Sequence, residues 1–343
     1  MKNPLRKRFF RELREEIGKY LVVFILMAAT IGFVSGFLVA DGSMLTAYNN
    51  SFQKYNIEDG KFETEEKIYK NQQEDIEKKG VTLYENFYVE KALLNGTTLR
   101  IFKNRTEVDK VCLMKGRLPE KAGEIAIDRM YADNNKLSVG DSLQSGKRKW
   151  KITGLVALSD YSALFQNNND TMFDAVKFGA AVVTEEEFSS FNQSQLVYNY
   201  AWTYTHKPKT EAQEKKKSED FMEELSKDVT LEEFVPQYLN QAIHFTGDDM
   251  GGDRAMIIVL LYIVIAIMAF VFGITTSNTI RKEAGVIGTL RASGYTKNEL
   301  IRHYMFMPLL VTFIGAIVGN LLGYTVFKNV CADMYYGSYS LPT

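Results

Sequence analysis

Three uncharged apolar runs interrupt an otherwise polar chain: Tyr20–Ala40, Ala255–Thr276 and Met305–Phe327. A helix needs about twenty such residues to cross the roughly 30 Å hydrocarbon core of a bilayer. A single charge at its centre costs about 2.5–3.5 kcal/mol, so three runs free of Asp, Glu, Lys and Arg predict three transmembrane helices. The second and third flank a polar insert, Ser277–Tyr304, which makes them a hairpin with a compact helix at its tip. A cleaved signal peptide is the competing reading of the first run. Its core is too long for one and no A-x-A site ends it, so a retained anchor is expected.

Between the first and second runs the pattern changes period. Ser51–Lys79 is charged and is expected to be mostly helical. Short strands are then expected at Glu124–Asp128, Lys149–Val156 and Ala180–Val183, with turns at Leu118–Gly123 and Gly140–Asp141 and a helix-like patch between them. Thr184 followed by Glu187 has capping-box spacing and predicts a short helix. In Leu196–Thr205, Tyr198, Tyr200, Trp202 and Tyr204 fall on one face of an extended strand. Such a row is either an aromatic ligand platform or the buried face of a sheet under a helix, here Thr210–Lys227, and the second is expected. The fold class is therefore an α+β membrane protein: three transmembrane helices with a large mixed α/β domain between the first and second. The boundaries are 1–19 (amphipathic segment), 20–40 (span one), 41–254 (outer domain), 255–276 (span two), 277–304 (insert), 305–327 (span three) and 328–343 (outer tail).

Charge orients this arrangement. The net charge of −1 argues against nucleic-acid binding through a basic surface. Met1–Lys19 carries seven Lys/Arg against three Glu, the insert five against two, and Asp41–Arg254 28 against 36 acidic residues. By the positive-inside rule the N-terminus and the insert are cytoplasmic and Asp41–Arg254 lies outside. Leu5, Phe9, Leu13 and Ile17 recur every four residues with Arg6, Lys7, Arg11 and Arg14 off that stripe. This is either a basic amphipathic helix in the inner interface or a flank that only sets orientation. Small residues recur every four positions in all three spans: Gly32 and Gly36; Ala269, Gly273 and Ser277; Gly315, Gly319 and Gly323. Stripes like these let helix backbones approach where lipid gives no hydrophobic drive. Asn320 is the one strongly polar residue there and is expected to bond a neighbouring helix.

Candidate chemistry is sparse. P-loop, H-E-x-x-H and G-x-S-x-G signatures are missing from the sequence, and no catalytic residue is predicted. His206, His244 and His303 lack ligand spacing. Cys112 and Cys331 read as two unpaired thiols. Asp248, Asp249 and Asp253 lack the EF-hand spacing. With Gly247, Gly251 and Gly252 they read as a flexible acidic hinge, and no metal is predicted.

The insert carries the most specific signal. Ile287, Gly288, Leu290, Arg291, Ala292 and Gly294 match, position by position, the R-x-x-E-I-G-x-L-[RK]-A-[LIM]-G hairpin of the FtsX-like, or MacB-type, ABC transporter permeases. Val286 stands where that pattern has Glu, with Glu283 one turn earlier as the acidic substitute, and Ser293 replaces an apolar residue. Gly116-Arg117-Leu118-Pro119, Gly123-Glu124-Ile125, Val139-Gly140-Asp141 and Ile152-Thr153-Gly154-Leu155 also resemble the extracytoplasmic core of that family, in order. The resemblance implies that Glu283, Gly285, Ile287, Gly288, Leu290, Arg291, Ala292 and Gly294 couple to a cytoplasmic ABC ATPase dimer. ATP and Mg would be bound by that partner, with no cofactor in this chain. It also implies a multi-pass protein of the cell membrane, a second permease unit from a longer chain or a homodimer, and a peptide, lipid, lipoprotein or wall-hydrolase partner outside. Family subunits have four or about ten spans, so this chain is expected to be the N-terminal part of a longer permease. The alternative function is an extracytoplasmic sensor or scaffold that transports nothing.

Overall fold

The computed structural model describes Arg14 and Glu16–Pro342. Most of the amphipathic segment read over residues 1–19, including Leu5, Phe9 and Leu13, lies outside the described residues. Helix α1 spans Ile17–Lys54. The chain then forms β1 (Gly60–Thr64), α2 (Lys70–Glu77), β2 (Val81–Glu85), β3 (Tyr88–Ala92), β4 (Thr98–Lys103), β5 (Val111–Gly116), β6 (Glu124–Asp128) and α3 (Arg129–Asn134). It continues through β7 (Ser142–Ser145), β8 (Arg148–Leu158), β9 (Phe178–Val183), α4 (Glu185–Ser189), β10 (Tyr198–Tyr204), α5 (Glu211–Leu225) and β11 (Leu231–Pro236). Helices α6 (Gln241–Lys282), α7 (Ala284–Ala292) and α8 (Lys297–Leu322) follow, and a wide turn, Gly323–Phe327, leads into α9 (Lys328–Ser338). Two units result: Leu45–Asp249 with Tyr335–Thr343, and the described residues of Met1–Met44 with Met250–Met334.

The first unit is β-rich, with two sheets. The smaller has the order β11-β1-β10-β2, all antiparallel. Its aromatic residues form the core: Phe62 stacks on Tyr200 at 5.4 Å, Trp202 on Phe234 at 4.8 Å, and Phe221 of α5 meets Trp202 edge-on at 5.2 Å. Tyr200, Trp202 and Tyr204 are buried, so these three form the inner face of a sheet under a helix and not a ligand platform, while Tyr198 at the strand's start is half-buried. The larger sheet has the order β3-β4-β9-β6-β8-β5, with β4 and β9 parallel, β6 and β8 parallel, and β7 beside β8. Every residue of β6 and β9 is buried, which is why both read as short continuous apolar runs.

Two expectations give way here. The charged stretch Ser51–Lys79 is not mostly helical: α1 stops at Lys54 and β1 and α2 follow. Strand β1 has one large apolar residue, Phe62, and its identity as a strand comes from partners far along the chain, Tyr200 and Phe234. The acidic hinge at residues 247–253 is uninterrupted helix within α6. Gly247 serves packing there, since a Cβ on it would lie 2.5 Å from the Tyr48 ring.

A buried polar network crosses the β-rich unit. Arg105 holds Asp160 through two hydrogen bonds of 2.7 and 2.6 Å, with both side chains about 5% exposed. Beside them lie the buried carboxyl groups of Glu58 and Asp109, the latter accepting the Glu58 backbone N–H at 2.9 Å. Asn86 and Asn240 donate to Asp109 and Glu58 respectively. Burial, and secondarily the Asp160 charge, raises Asp109 to about 7; burial, then Asp109, raises Glu58 well above the usual carboxylate range. Burial also raises Asp128 to about 6. Carboxyl groups raised by folding stabilise the unit while protonated, fully below about pH 4, and this contribution is lost as pH rises through about 6 to 7. The thermal midpoint of the β-rich unit is therefore expected to be higher at pH 5 than at pH 8, and to flatten with Asp109→Asn. A midpoint that rises steadily from pH 5 to pH 8 would contradict carboxyl groups raised by burial.

The last described residues pack into the β-rich unit. Arg129 donates to the carbonyls of Tyr336 and Tyr339 and stacks over the Tyr336 ring at 3.8 Å. Ser340 donates its hydroxyl to Asp128 and its N–H to the Ser162 carbonyl. Tyr335, Tyr339, Ser340 and Leu341 are buried.

Candidate functional site: the insert and the helices that carry it

The second unit contains the apolar parts of α1, α6 and the continuous α8–α9 helix, which are long and apolar enough to cross a membrane. Leu21, Val22, Ile25, Val259, Ile263, Phe270, Leu309, Phe313 and Leu321 are exposed on them, an outward apolar surface suited to lipid. Glycines decide where the helices touch. A Cβ on Gly36 would lie 2.6 Å from Phe327 Cβ and 2.8 Å from the Lys328 nitrogen; one on Gly319 would lie 2.9 Å from the Ala28 carbonyl. On Gly323 it would meet Ser35 Oγ, and Gly32 and Gly315 face Phe327 and Met27. The stripes of the first and third spans thus pack on each other. Gly273 meets nothing within 4 Å, so the stripe of the second span faces open space in this chain. Asn320 turns back to its own helix, donating to the Ala316 carbonyl at 2.9 Å.

The insert is built from short-range chemistry. Helix α7 ends in a Schellman stop: the Tyr295 N–H reaches the Leu290 carbonyl and the Gly294 N–H the Arg291 carbonyl, both at 3.1 Å. Gly294 sits at φ +96°, the left-handed region that an L side chain resists. Two residues on, Thr296 and Glu299 form a capping box that starts α8. Ala284, Gly288 and Ala292 recur every four residues, with Gly285, Thr289 and Ser293 as the adjacent row, and all six are exposed. Ile287 and Leu290 are half-buried and Arg291 is exposed on the same helix. A nine-residue helix with a smooth small-residue face, apolar flanks and one cation offers another protein shape and little desolvation cost. Glu283 is placed differently from the other residues of the motif. Its side chain accepts the Tyr304 hydroxyl inside the unit, a contact across 21 positions that no sequence period announces.

In the β-rich unit, the Gly116–Pro119, Gly123–Ile125 and Ile152–Leu155 segments form a local staple. Arg117 grips Glu124 with bonds of 2.8 and 2.6 Å, and Gly116 and Gly154 pair across β5 and β8. Those glycines are required by close approach: a Cβ on Gly154 would lie 2.4 Å from the Arg117 carbonyl. A separate cleft of about 700 Å³ is lined by Lys67, Phe87, Lys103, Arg105, Phe188 and Tyr198. Cys112 and Cys331 are not bridged. Among the described residues no group of three or more His, Cys, Asp or Glu could hold a metal ion.

Comparison with known proteins follows these two regions. Residues 258–343 match the FtsX-like permease C-terminal family. The periplasmic region of MacB from Actinobacillus actinomycetemcomitans is 11% identical, with 49% of this chain and 83% of that chain covered and a TM-score of 0.31. The extracellular domain of the ABC-type transporter YknZ from Gram-positive bacteria is 12% identical, with 50% and 100% covered and a TM-score of 0.29. No curated protein matches the chain. The family match over 258–343 takes in most of the second span, the whole insert with its G-x-L-R-A-x-G run, and the third span, so this part of the chain is similar to the C-terminal region of the FtsX-like permeases.

Proposed function

We propose that the chain transmits force from a cytoplasmic ABC ATPase dimer, through the insert Ser277–Tyr304, to a domain on the other side of the membrane. The observation that carries this reading is α7: a capped helix whose small-residue face is wholly exposed beside two membrane helices. The excess of Lys and Arg in the insert supports a cytoplasmic location for it and for the N-terminus, and an outer location for Leu45–Asp249. ATP and Mg bind the partner; this chain catalyses nothing and carries no cofactor. The open stripe Ala269–Gly273–Ser277 supports packing against a second permease unit. The aromatic side chains of the outer cleft, among cations and carboxylates in equal number (Lys67, Lys103 and Arg105 with Glu85, Glu107 and Glu185), support a peptide, lipoprotein or wall-enzyme partner there. The ABC ATPase that co-purifies with the full chain in nanodiscs provides the test. Gly288→Asp with Leu290→Asp is expected to abolish stimulated ATP hydrolysis and ATPase binding while membrane insertion is retained. Unchanged stimulation in that variant would rule out α7 as the docking element.

A further inference from the structure

The break between the second span and the coupling helix is one residue wide. Helix α6 ends at Lys282 and α7 begins at Ala284, with Glu283 between them at φ −98° and ψ 11°. A single non-helical residue between two helices is a pivot unless something closes it. Glu283 holds the N-cap position but makes no side-chain bond to the helix it begins. Its carboxylate instead accepts the Tyr304 hydroxyl of α8.

The surroundings make this bond mechanically significant. From Ala284 to Thr296 the chain is stiffened by the Schellman stop and the capping box, so the insert behaves as one piece between Glu283 and α8. Pro308, inside α8, has no N–H to offer the carbonyl four residues back, which is that of Tyr304. The ladder of α8 is therefore short of one bond at the turn where Tyr304 sits. Glu283 and Tyr304 both line a small cavity with Thr276, Thr279, His303 and Met307. A hydrogen bond to a carboxylate is about twice as strong as a neutral one, and removal from water strengthens it further.

We propose that Glu283 and Tyr304 form a strut that closes the α6–α7 pivot, so that the insert and the third span move as one body. Glu283 is then a positioning residue for the coupling reading above, on which this inference rests, and not a contact for the ATPase. Without the strut, a push on α7 is absorbed by rotation at residue 283. With it, the push reaches α8 directly.

Spin labels at Ile263→Cys on α6 and Ala292→Cys on α7, in the full chain carrying Cys112→Ser and Cys331→Ser in nanodiscs, read the closing of the pivot without any ATPase. The inter-label distance distribution is expected to be narrow in the parent and in Glu283→Gln, whose amide oxygen still accepts from Tyr304. It is expected to broaden at least about twofold in Glu283→Ala and Tyr304→Phe, and no further in the double variant. Equal widths in all variants would overturn the strut. With the co-purifying ATPase added, Tyr304→Phe is expected to keep its binding affinity while stimulation of ATP hydrolysis falls about tenfold. Binding and stimulation lost together would overturn the positioning role, because Glu283 would then be a partner contact. A parent chain that binds no ATPase would refute the coupling reading alone, and the label widths tell that failure apart.

Discussion

Gly36→Leu is expected to separate α1 from the end of the third span and to expose Cys331. The space for a side chain at Gly36 is closed by backbone, the Phe327 carbonyl carbon and the Lys328 nitrogen at 2.8 Å each, as well as by Phe327 Cβ. Backbone within a helix cannot step aside as a side-chain tip can. Overpacking a close contact costs about 1–3 kcal/mol even where neighbours can adjust. In lipid the helices are held mainly by the close contact itself, so losing it leaves little to hold them. Cys331 lies one turn beyond Phe327 and is 1% exposed, which makes its thiol a reporter. Maleimide modification of Cys331 is expected to be at least about tenfold faster in Gly36→Leu. Gly32→Ala should have the smaller effect, because its Cβ would meet the edge of the Phe327 ring at 3.0 Å, which can turn, and the Gly319 carbonyl only at 3.2 Å. Equal reactivity of Cys331 in Gly36→Leu and the parent would show that this contact does not hold the pair.

The second large effect belongs to the β-rich unit. Arg105→Ala is expected to destabilise it by about 3–5 kcal/mol, the cost of leaving one partner of a buried ion pair alone. Asp160 is 6% exposed on its side chain and receives both of its strong bonds from Arg105. Asp109 also loses the cation that offsets its burial, so three carboxyl groups then share one pocket without Arg105. The loss should therefore be greater at pH 8 than at pH 5, where protonation relieves the pocket. Arg105→Met with Asp160→Leu removes both charges and is expected to be milder than Arg105→Ala alone. Chemical denaturation of the full chain, followed by tryptophan fluorescence, provides the measurement: Trp150 and Trp202 both lie in this unit. A double variant less stable than Arg105→Ala would mean that packing, and not the stranded charge, sets the cost.

How much of this was legible in the chain follows from where each signal originates. The three spans are legible because lipid imposes one rule, no charge over about twenty residues, on every position of a segment. Strand β6 and helix α4 are legible for local reasons, an apolar run before Asp128 and a Thr184 cap on Glu187. Strands β1, β2, β3, β4, β5, β7 and β11 were not predicted. Residues such as Phe62 and Phe234 take extended form because Tyr200 and Trp202 from distant sequence stack on them. Residues 247–253 misled because glycine marks both bends and close approach, and only Tyr48 distinguishes the two. In the insert, the caps at Gly294 and Thr296 follow from local residue types. The Glu283–Tyr304 bond does not, since nothing within one turn of either residue points to the other.

The wide turn Gly323–Phe327 sets the phase of everything after it. One extra residue there advances the following helix by about 100° relative to an unbroken α-helix. That advance fixes which side of α9 carries the buried Cys331. Loss of a single residue between Pro308 and Phe327 would leave the apolar character of the span intact and still turn residues 328–334 away from their seat. The helix can vary freely in composition, but not in count.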